Sequence, residues 1–386
     1  MKAIYLDYSA TTPIRPEVLE VMHPYFMDIF GNASSIHTFG QEARRALEES
    51  REKVAKILGA LPEEIVFTSG GTEATNLAIK GSLRSKRIRG NQIITSSIEH
   101  HATLNTCRYL EREGFKVVYL PPDRHGKLDP GDVERAITDK TVLISIIHAN
   151  NEVGTIQPVE EIGEIARDRG VLFHTDAVQS VGKIPVNVDD LNVDFLSVSG
   201  HKLYGPKGIG ALYVRKGVPF EPLFQGGHHE RNRRPGTENI PSIVGLARAM
   251  ELAEEEMDRV STKIKNLGDS FWEAIETQIE GAHINGHPLD RTPSILNVSF
   301  DGAAGDSIVI NLDLKGIAAS TGSACTSGAP EPSHVLLAMG ASRGQVRGAV
   351  RFSLGRETTQ EELDHTVAVL GQTIRHLRSI ASADAD

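Results

Sequence analysis

Lys202 lies in the run Ser197-Val-Ser-Gly-His-Lys-Leu-Tyr-Gly-Pro-Lys-Gly-Ile-Gly210, directly after the apolar stretch Asp194-Phe-Leu-Ser-Val198. The stretch predicts a short buried strand, and Gly200 with Gly205-Pro206 turns the chain at its C-terminal end, where open α/β sheets bind ligands. A lysine held in such a partly dehydrated place has its pKa lowered and becomes a nucleophile toward an aldehyde carbonyl. Taken alone, a solvated lysine on a glycine-rich loop is the commoner case. A second apolar strand upstream, in Val171-Leu-Phe-His-Thr-Asp176-Ala-Val-Gln179, ends on a carboxylate. Such an aspartate either is a helix N-cap after a strand or holds a proton on a heterocyclic nitrogen.

A third segment, Glu64-Ile-Val-Phe-Thr-Ser-Gly70-Gly71-Thr72-Glu-Ala-Thr75, predicts strand, glycine turn and helix start. Free backbone N–H groups and the helix dipole favour an anion there, and the Thr72 hydroxyl adds a donor. The segment has neither the spacing of a dinucleotide site nor that of a triphosphate loop. A lysine, a carboxylate and a phosphate cradle are the parts a pyridoxal phosphate enzyme needs, since the carboxylate keeps the pyridine nitrogen protonated and the ring then acts as an electron sink. Cys325 stands in a Ser/Thr/Gly/Ala-rich run from Ala318 to Ala329, followed by Pro330-Glu-Pro332, a composition that predicts an exposed loop rather than a packed element. Cys107, by contrast, falls in the helical pattern His101-Ala-Thr-Leu-Asn-Thr-Cys-Arg-Tyr-Leu-Glu-Arg and is assigned to structure.

With these segments stand Leu6-Asp-Tyr-Ser-Ala-Thr-Thr-Pro13, Gly31-Asn-Ala-Ser-Ser35, Glu99-His100, His148-Ala-Asn-Asn151-Glu-Val-Gly154, Arg234-Pro-Gly-Thr237, Ser320-Thr-Gly-Ser-Ala-Cys325-Thr-Ser327 and Arg351-Phe-Ser-Leu-Gly-Arg356. From residue 4 to about residue 375 the chain resembles the pyridoxal-phosphate-dependent cysteine desulfurases of the class V aminotransferase superfamily, fold type I. The Ser-Ala-Cys-Thr-Ser form resembles the long-loop branch associated with nitrogen fixation and iron-sulfur cluster assembly; His228-His229 precedes Glu230 and does not supply the Gly-His-His-Cys motif of the other branch.

The resemblance implies a role for each residue. Lys202 carries the cofactor and Asp176 faces its ring nitrogen. His100 stacks on the ring and moves protons, Gln179 bonds the phenolic oxygen with Asn151 beside it, and Gly71, Thr72, Ser199 and His201 surround the phosphate. Thr237 reaches the phosphate of the partner subunit in a homodimer, and Arg351 with Asn32 takes the substrate carboxylate. Cys325, as thiolate, takes sulfur from L-cysteine as a persulfide, L-alanine leaves, and the sulfur passes to acceptor proteins for cluster assembly and tRNA thiolation. Two alternatives stay open. One is a different class V enzyme, such as an aminotransferase or a selenocysteine lyase. The other is a sulfur-relay or scaffold role in which Cys325 ligates a [2Fe-2S] cluster shared with a scaffold partner, which must then supply the remaining ligands.

Around these residues, apolar strands and amphipathic helices alternate from about residue 62 to residue 214, with Gln92–Ser97, Lys116–Leu120 and Thr141–Ile147 among the strands. This alternation predicts an α/β fold with a mostly parallel sheet between helices, seven-stranded by the resemblance. Ser242 to Glu280 predicts a helix leading into a smaller α+β domain, with strands at Ser294–Phe300 and Gly348–Leu354 and a capping box, Thr359-Gln-Glu-Glu, opening a helix to Leu370. The expected division is a large cofactor-binding domain, 16–255, and a small domain, 1–15 with 256–386, carrying the cysteine loop at about 318–332. The small polar tail Ser379–Asp386 is expected to fray.

The chain has 386 residues, net charge −10 and only two cysteines. The charge disfavours direct nucleic-acid binding, and the cysteine count argues against a disulfide framework and a self-contained four-cysteine metal site. No run of about 18 apolar residues predicts a membrane span. A soluble protein of the reducing cytoplasm is expected.

Overall fold

The computed structural model describes residues 3–85, 89–321 and 332–383. Its strands, in chain order, are β1 (Ile4–Tyr5), β2 (Ile65–Thr68), β3 (Gln92–Ser96), β4 (Lys116–Leu120), β5 (Thr141–Ile147), β6 (Leu172–Asp176), β7 (Phe195–Ser199), β8 (Gly210–Val214), β9 (Ala282–Asn285), β10 (Ile295–Phe300), β11 (Ile317–Ala318) and β12 (Ala349–Ser353). The helices are α1 (Pro16–Met22), α2 (Pro24–Met27), α3 (Thr38–Leu58), α4 (Gly71–Leu83), α5 (His101–Arg112), α6 (Pro130–Ala136), α7 (Val159–Arg169), α8 (Ile240–Gln278), α9 (Gly305–Asp313), α10 (His334–Ala338), α11 (Arg343–Arg347) and α12 (Gln360–Ala383).

β3, β5 and β7 are buried along their whole length, as expected of strands covered on both faces. They join a seven-stranded sheet of order β2-β8-β7-β6-β5-β3-β4. Pairings from β4 through β7 are parallel, and β8 is antiparallel to both β7 and β2. β8 alone therefore runs against the rest, so β2, β3, β5, β6 and β7 all bring their C-terminal ends to one rim. On one face Leu47, Val54, Leu58, Ile162, Ile243 and Leu246 pack with Phe67, Ile144 and Phe173. On the other, Leu77 and Ala78 pack on Val66 and Phe195, and Ile79, Cys107 and Leu110 on Ile93 and Leu143.

A second core lies around the antiparallel sheet β12-β10-β9, where Phe271, Ile275, Val298, Phe352, Leu363 and Leu370 are buried together. α8 serves both cores: its buried residues run from Ile240 to Leu252 and resume at Ile264, leaving an interval with none. β1 pairs with β11, and Leu6 enters the second core, so the chain's beginning is built into its C-terminal half.

The capping box is present, with Thr359 N–H donating to Glu362 Oε2 at 3.1 Å and Glu362 N–H to Thr359 Oγ1 at 3.3 Å. The tail differs from expectation: α12 continues through Ala383 rather than fraying from Ser379. Arg378 is held against the carbonyls of Asp301 (2.7 Å) and Glu280 (2.8 Å), which ties that turn down. Among the described residues no helix is long and apolar enough to cross a membrane.

Candidate functional site

The sheet's C-terminal rim collects the chemistry. β7 ends at Ser199, and the 3-10 turn Gly200–Lys202 swings the lysine amine onto the carbonyls of Ser9 and, at 2.7 Å, Ala10. β6 ends on Asp176, whose Oδ1 accepts the Val178 N–H at 3.0 Å. Among the described residues no helix stands between β6 and β7, so the aspartate holds a turn rather than serving as a helix N-cap, and its carboxylate is set at the rim. Burial pushes the Asp176 pKa up to about 6, against the pull of the Lys202 charge. A protonated ring nitrogen beside it would reverse that shift and keep its own proton, because a buried carboxylate gains most from a close cation.

After β3, Glu99 and His100 lead into α5. The His100 ring caps the helix, its Nδ1 accepting the Ala102 N–H at 3.1 Å. Burial, and then the charge of Lys202, lower the His100 pKa to about 4, so its imidazole is neutral near pH 7. Nδ1 is the acceptor, which leaves Nε2 as the protonated nitrogen. Glu99 is 1 % exposed, and its Oε1 accepts the Ser96 hydroxyl (2.8 Å) and the Ile147 N–H (2.9 Å). Burial raises its pKa to about 8.

β2 leads to Gly70, which takes φ 151°, a conformation that side chains rarely adopt, at the start of α4. α4 has no side-chain cap, so its first N–H groups are left for another acceptor. A Cβ on Gly71 would come within 2.8 Å of Val178 Cγ2, while one on Gly70 would meet only Ser199 Oγ at 4.0 Å. The volume between the α4 start and Ser199 is therefore open on the glycine side. Thr72 is exposed beside it. His201 Nδ1 lies 3.2 Å from Thr11 Oγ1, and burial lowers its pKa to about 4.

Gln179 is buried, with Nε2 donating to the Ser9 carbonyl at 3.0 Å, the same carbonyl that Lys202 contacts. Arg351, on β12, reaches the rim from the second core: it donates to the Asn151 carbonyl at 2.9 Å and to Asp7 Oδ1 at 2.8 Å. Its Nε is buried without a partner. Lys202, Asp176, His100, Gln179, Ser199, His201 and Gly71 thus converge, with Asn151 joined through Arg351. Asn32 and Thr237 are exposed, and among the described residues no hydrogen bond or ion pair ties either to this cluster. Asn32 instead turns its own loop, its Oδ1 accepting the Ser34 N–H at 2.8 Å. Cys325 lies outside the described residues. Cys107 is fully buried on α5, and burial raises its thiol pKa to about 12, in keeping with a structural role. Glu99, Asp7 and Lys183 were not singled out for roles from sequence, although Glu99 and Asp7 stand inside the motifs quoted above and Lys183 lies one turn after Gln179.

Residues 4–366 match the class-V aminotransferase family, and the chain belongs to it. It is 51 % identical over 380 residues, 98 % of this chain and 96 % of the relative, to a protein of Dictyoglomus turgidum named cysteine desulfurase IscS. Among solved structures it resembles a NifS-like protein (TM-score 0.91, 41 % identity, 97 % of this chain and 100 % of that one). A second, SspA in complex with cysteine, matches with TM-score 0.81 and 42 % identity over 92 % of this chain and 100 % of that one. The family's cofactor is pyridoxal 5′-phosphate, and the residues fit it: an uncapped helix start behind two glycines for the phosphate, a carboxylate at a strand end for the ring nitrogen, and a lysine amine after the end of the adjacent strand.

Proposed function

We propose that the protein is a cysteine desulfurase that takes sulfur from free L-cysteine, releases L-alanine and passes the sulfur on through Cys325. One observation carries the reading: the Lys202 amine, the Asp176 carboxyl and the neutral His100 imidazole stand at the C-terminal ends of β7, β6 and β3, on one rim, close enough that the Lys202 charge lowers the pKa of both others. Identity of 51 % to a named cysteine desulfurase supports it.

Pyridoxal phosphate supplies an aldehyde for covalent capture of an amine and a ring that delocalises negative charge from the substrate's α-carbon. Lys202 would hold it through its amine, with Asp176 at the ring nitrogen, Gln179 and Asn151 at the ring's oxygen side, and Gly71, Thr72, Ser199 and His201 around the phosphate. Arg351 meets the substrate carboxylate; its guanidinium is already oriented by Asp7 and Asn151, and a planar fork suits a carboxylate. Asn32 assists it. His100 is neutral near pH 7 with Nδ1 held by the Ala102 N–H, so it presents its Nε2–H as a donor and takes up a proton only when that cap is released. The Cys325 thiolate then attacks the substrate sulfur: the carbon–sulfur bond breaks, a sulfur–sulfur bond forms, and the proton delivered to carbon completes alanine. Cysteine plus enzyme thiol thus becomes alanine plus enzyme persulfide, with no external oxidant.

The enzyme acts as a cytoplasmic homodimer that delivers sulfur to an iron-sulfur scaffold protein and other acceptors, with its small domain, 1–15 and 256–386, closing the cleft over the large one. Supporting the dimer, Phe26, Met27, Phe30, Ile36 and Phe39 leave 52–90 % of their surface exposed around the Asn32 turn. In that dimer Thr237 serves the partner's phosphate, which accounts for its distance from the cluster here.

The test is direct. Purified protein with pyridoxal phosphate, L-cysteine and a thiol reductant is expected to form alanine and sulfide in equal amounts. Cys325→Ala should bind cofactor and cysteine with the same spectral change and yield no alanine. Absence of alanine from the parent, or its undiminished release by the variant, would overturn the reading.

A further inference from the structure

Lys183 has no part in the chemistry above, yet it stands beside it in unusual surroundings. Gly182, at φ 70°, turns the chain so that Lys183 comes back along the segment that carries Asp176 and Gln179. Its Nζ donates to Gln179 Oε1 at 2.7 Å. Its backbone carbonyl accepts the Ser261 hydroxyl of α8 at 2.7 Å. Among the described residues no carboxylate lies within ion-pair distance of the amine. Burial, and then the repulsive charges of Lys202 and Arg351, lower its pKa to about 7. A side chain set for stability alone would pair this amine or send it to solvent.

What the amine does is hold the amide from its second end, in the sense the Ser9 carbonyl also requires. A glutamine amide can turn either end toward a partner, but an amine that is donating a hydrogen to it needs the oxygen end. With Oε1 committed to Lys183, Nε2 must face the other way, toward the Ser9 carbonyl at 3.0 Å and the Lys202 amine that shares that carbonyl. Nε2 has two hydrogens and Ser9 takes one. The second is left for an acceptor at the rim.

We propose that Lys183 is a positioning residue that locks the Gln179 amide with its N–H side toward the cofactor, so that a donor and never an acceptor meets the ring's phenolic oxygen. The inference rests on the placement of Gln179 given under the proposed function and adds the device that orients it. An acceptor turned toward that oxygen would repel it, so an amine two hydrogen bonds removed from the ligand, acting with the Ser9 carbonyl, sets the sign of the contact.

The experiment compares cofactor binding rather than turnover. Apo-protein is titrated by calorimetry with pyridoxal 5′-phosphate and with its analogue lacking the ring hydroxyl, for the parent, Lys183→Met and Lys183→Arg. The parent is expected to prefer pyridoxal phosphate. Lys183→Met should lose about three- to tenfold in affinity for pyridoxal phosphate, the worth of one ordinary hydrogen bond, and less than twofold for the analogue. Lys183→Arg keeps a donor-only head and should restore most of the preference. Equal losses for both ligands, or an unchanged preference in Lys183→Met, would overturn the Lys183 role while leaving Gln179 in place. A parent that binds the two ligands equally would instead remove the Gln179 contact, and the proposal with it. Should Lys183→Met not fold, Lys183→Gln, whose head both donates and accepts, makes the same comparison with a partial loss expected.

Discussion

The two cores of this chain handle burial in opposite ways. Around β9, β10 and β12 the interior is built from side chains that ask for nothing but contact, such as Phe352 packed edge-on against Phe271 with ring centres 5.3 Å apart. At the rim of the large sheet the interior holds Glu99, Asp176 and His148, with His174 within the sheet below them, each buried and each shifted toward its neutral form. One core stabilises the fold; the other uses part of that stability to hold titratable groups in chosen protonation states. Arg351 is where they meet, since it grows from the apolar sheet and ends among the polar groups.

This contrast can be tested from its strongest consequence downward. Replacing Lys202 with Ala should cut alanine formation by at least about a thousandfold, equivalent to about 4 kcal/mol of barrier, while thermal unfolding shows only a small loss of stability, about 1 kcal/mol or less, because the amine's bonds to the Ser9 and Ala10 carbonyls are offset by its repulsion of Lys183. Phe352→Ala should do the reverse: about 3–5 kcal/mol less stable in denaturant unfolding, with the pyridoxal phosphate site intact in whatever fraction stays folded. A large stability loss in the first variant, or none in the second, would erase the distinction.

The third effect depends on pH. The Glu99 pKa in the folded protein, about 8, lies above its ordinary value of 4.5, so between those limits the unfolded chain ionises and the folded one does not. Its stabilising contribution is complete below pH 4.5 and is lost as pH rises toward 8. Glu99→Gln should therefore gain on the parent at pH 8, on the order of 1–3 kcal/mol, and the gain should vanish toward pH 4.5. The histidines slope the other way. His174, held between the hydroxyls of Ser145 and Ser197, has its pKa lowered from 6.5 to about 3 by burial. It resists protonation while the unfolded chain accepts it, so this contribution is present above pH 6.5 and lost as pH falls toward 3. A melting temperature measured across pH 4–8 in parent and Glu99→Gln separates the two slopes. The smallest effect is at a helix end remote from the rim: Thr359→Ala removes one half of the capping box and should cost about 1 kcal/mol, with alanine formation unchanged.

Much of the site was legible in the linear chain because its signals are local. Gly70-Gly71 before a helix, Asp176 and Lys202 at strand ends, and His100 after a strand each depend on a few neighbouring residues, and the structure places them at one rim as the alternation of strands and helices requires. The continuation of α12 to Ala383 was missed because the tail's small residues say little, while the contacts that hold Arg378 come from Asp301 and Glu280, far away in sequence.

Sequence alone therefore determined the inventory and the frame: which residues carry chemistry, the order of strands and helices, and the family. Only the tertiary structure decided who meets whom and in which charge state. The Arg351–Asp7 pair joins the two ends of the chain, the neutral His100 and the raised Asp176 follow from how much protein surrounds them, and the Lys183–Gln179 bond follows from a turn that brings the amine back. The physical reason is common to all of them. Local conformation is set by neighbours in the chain, whereas desolvation and long-range charge are set by neighbours in space.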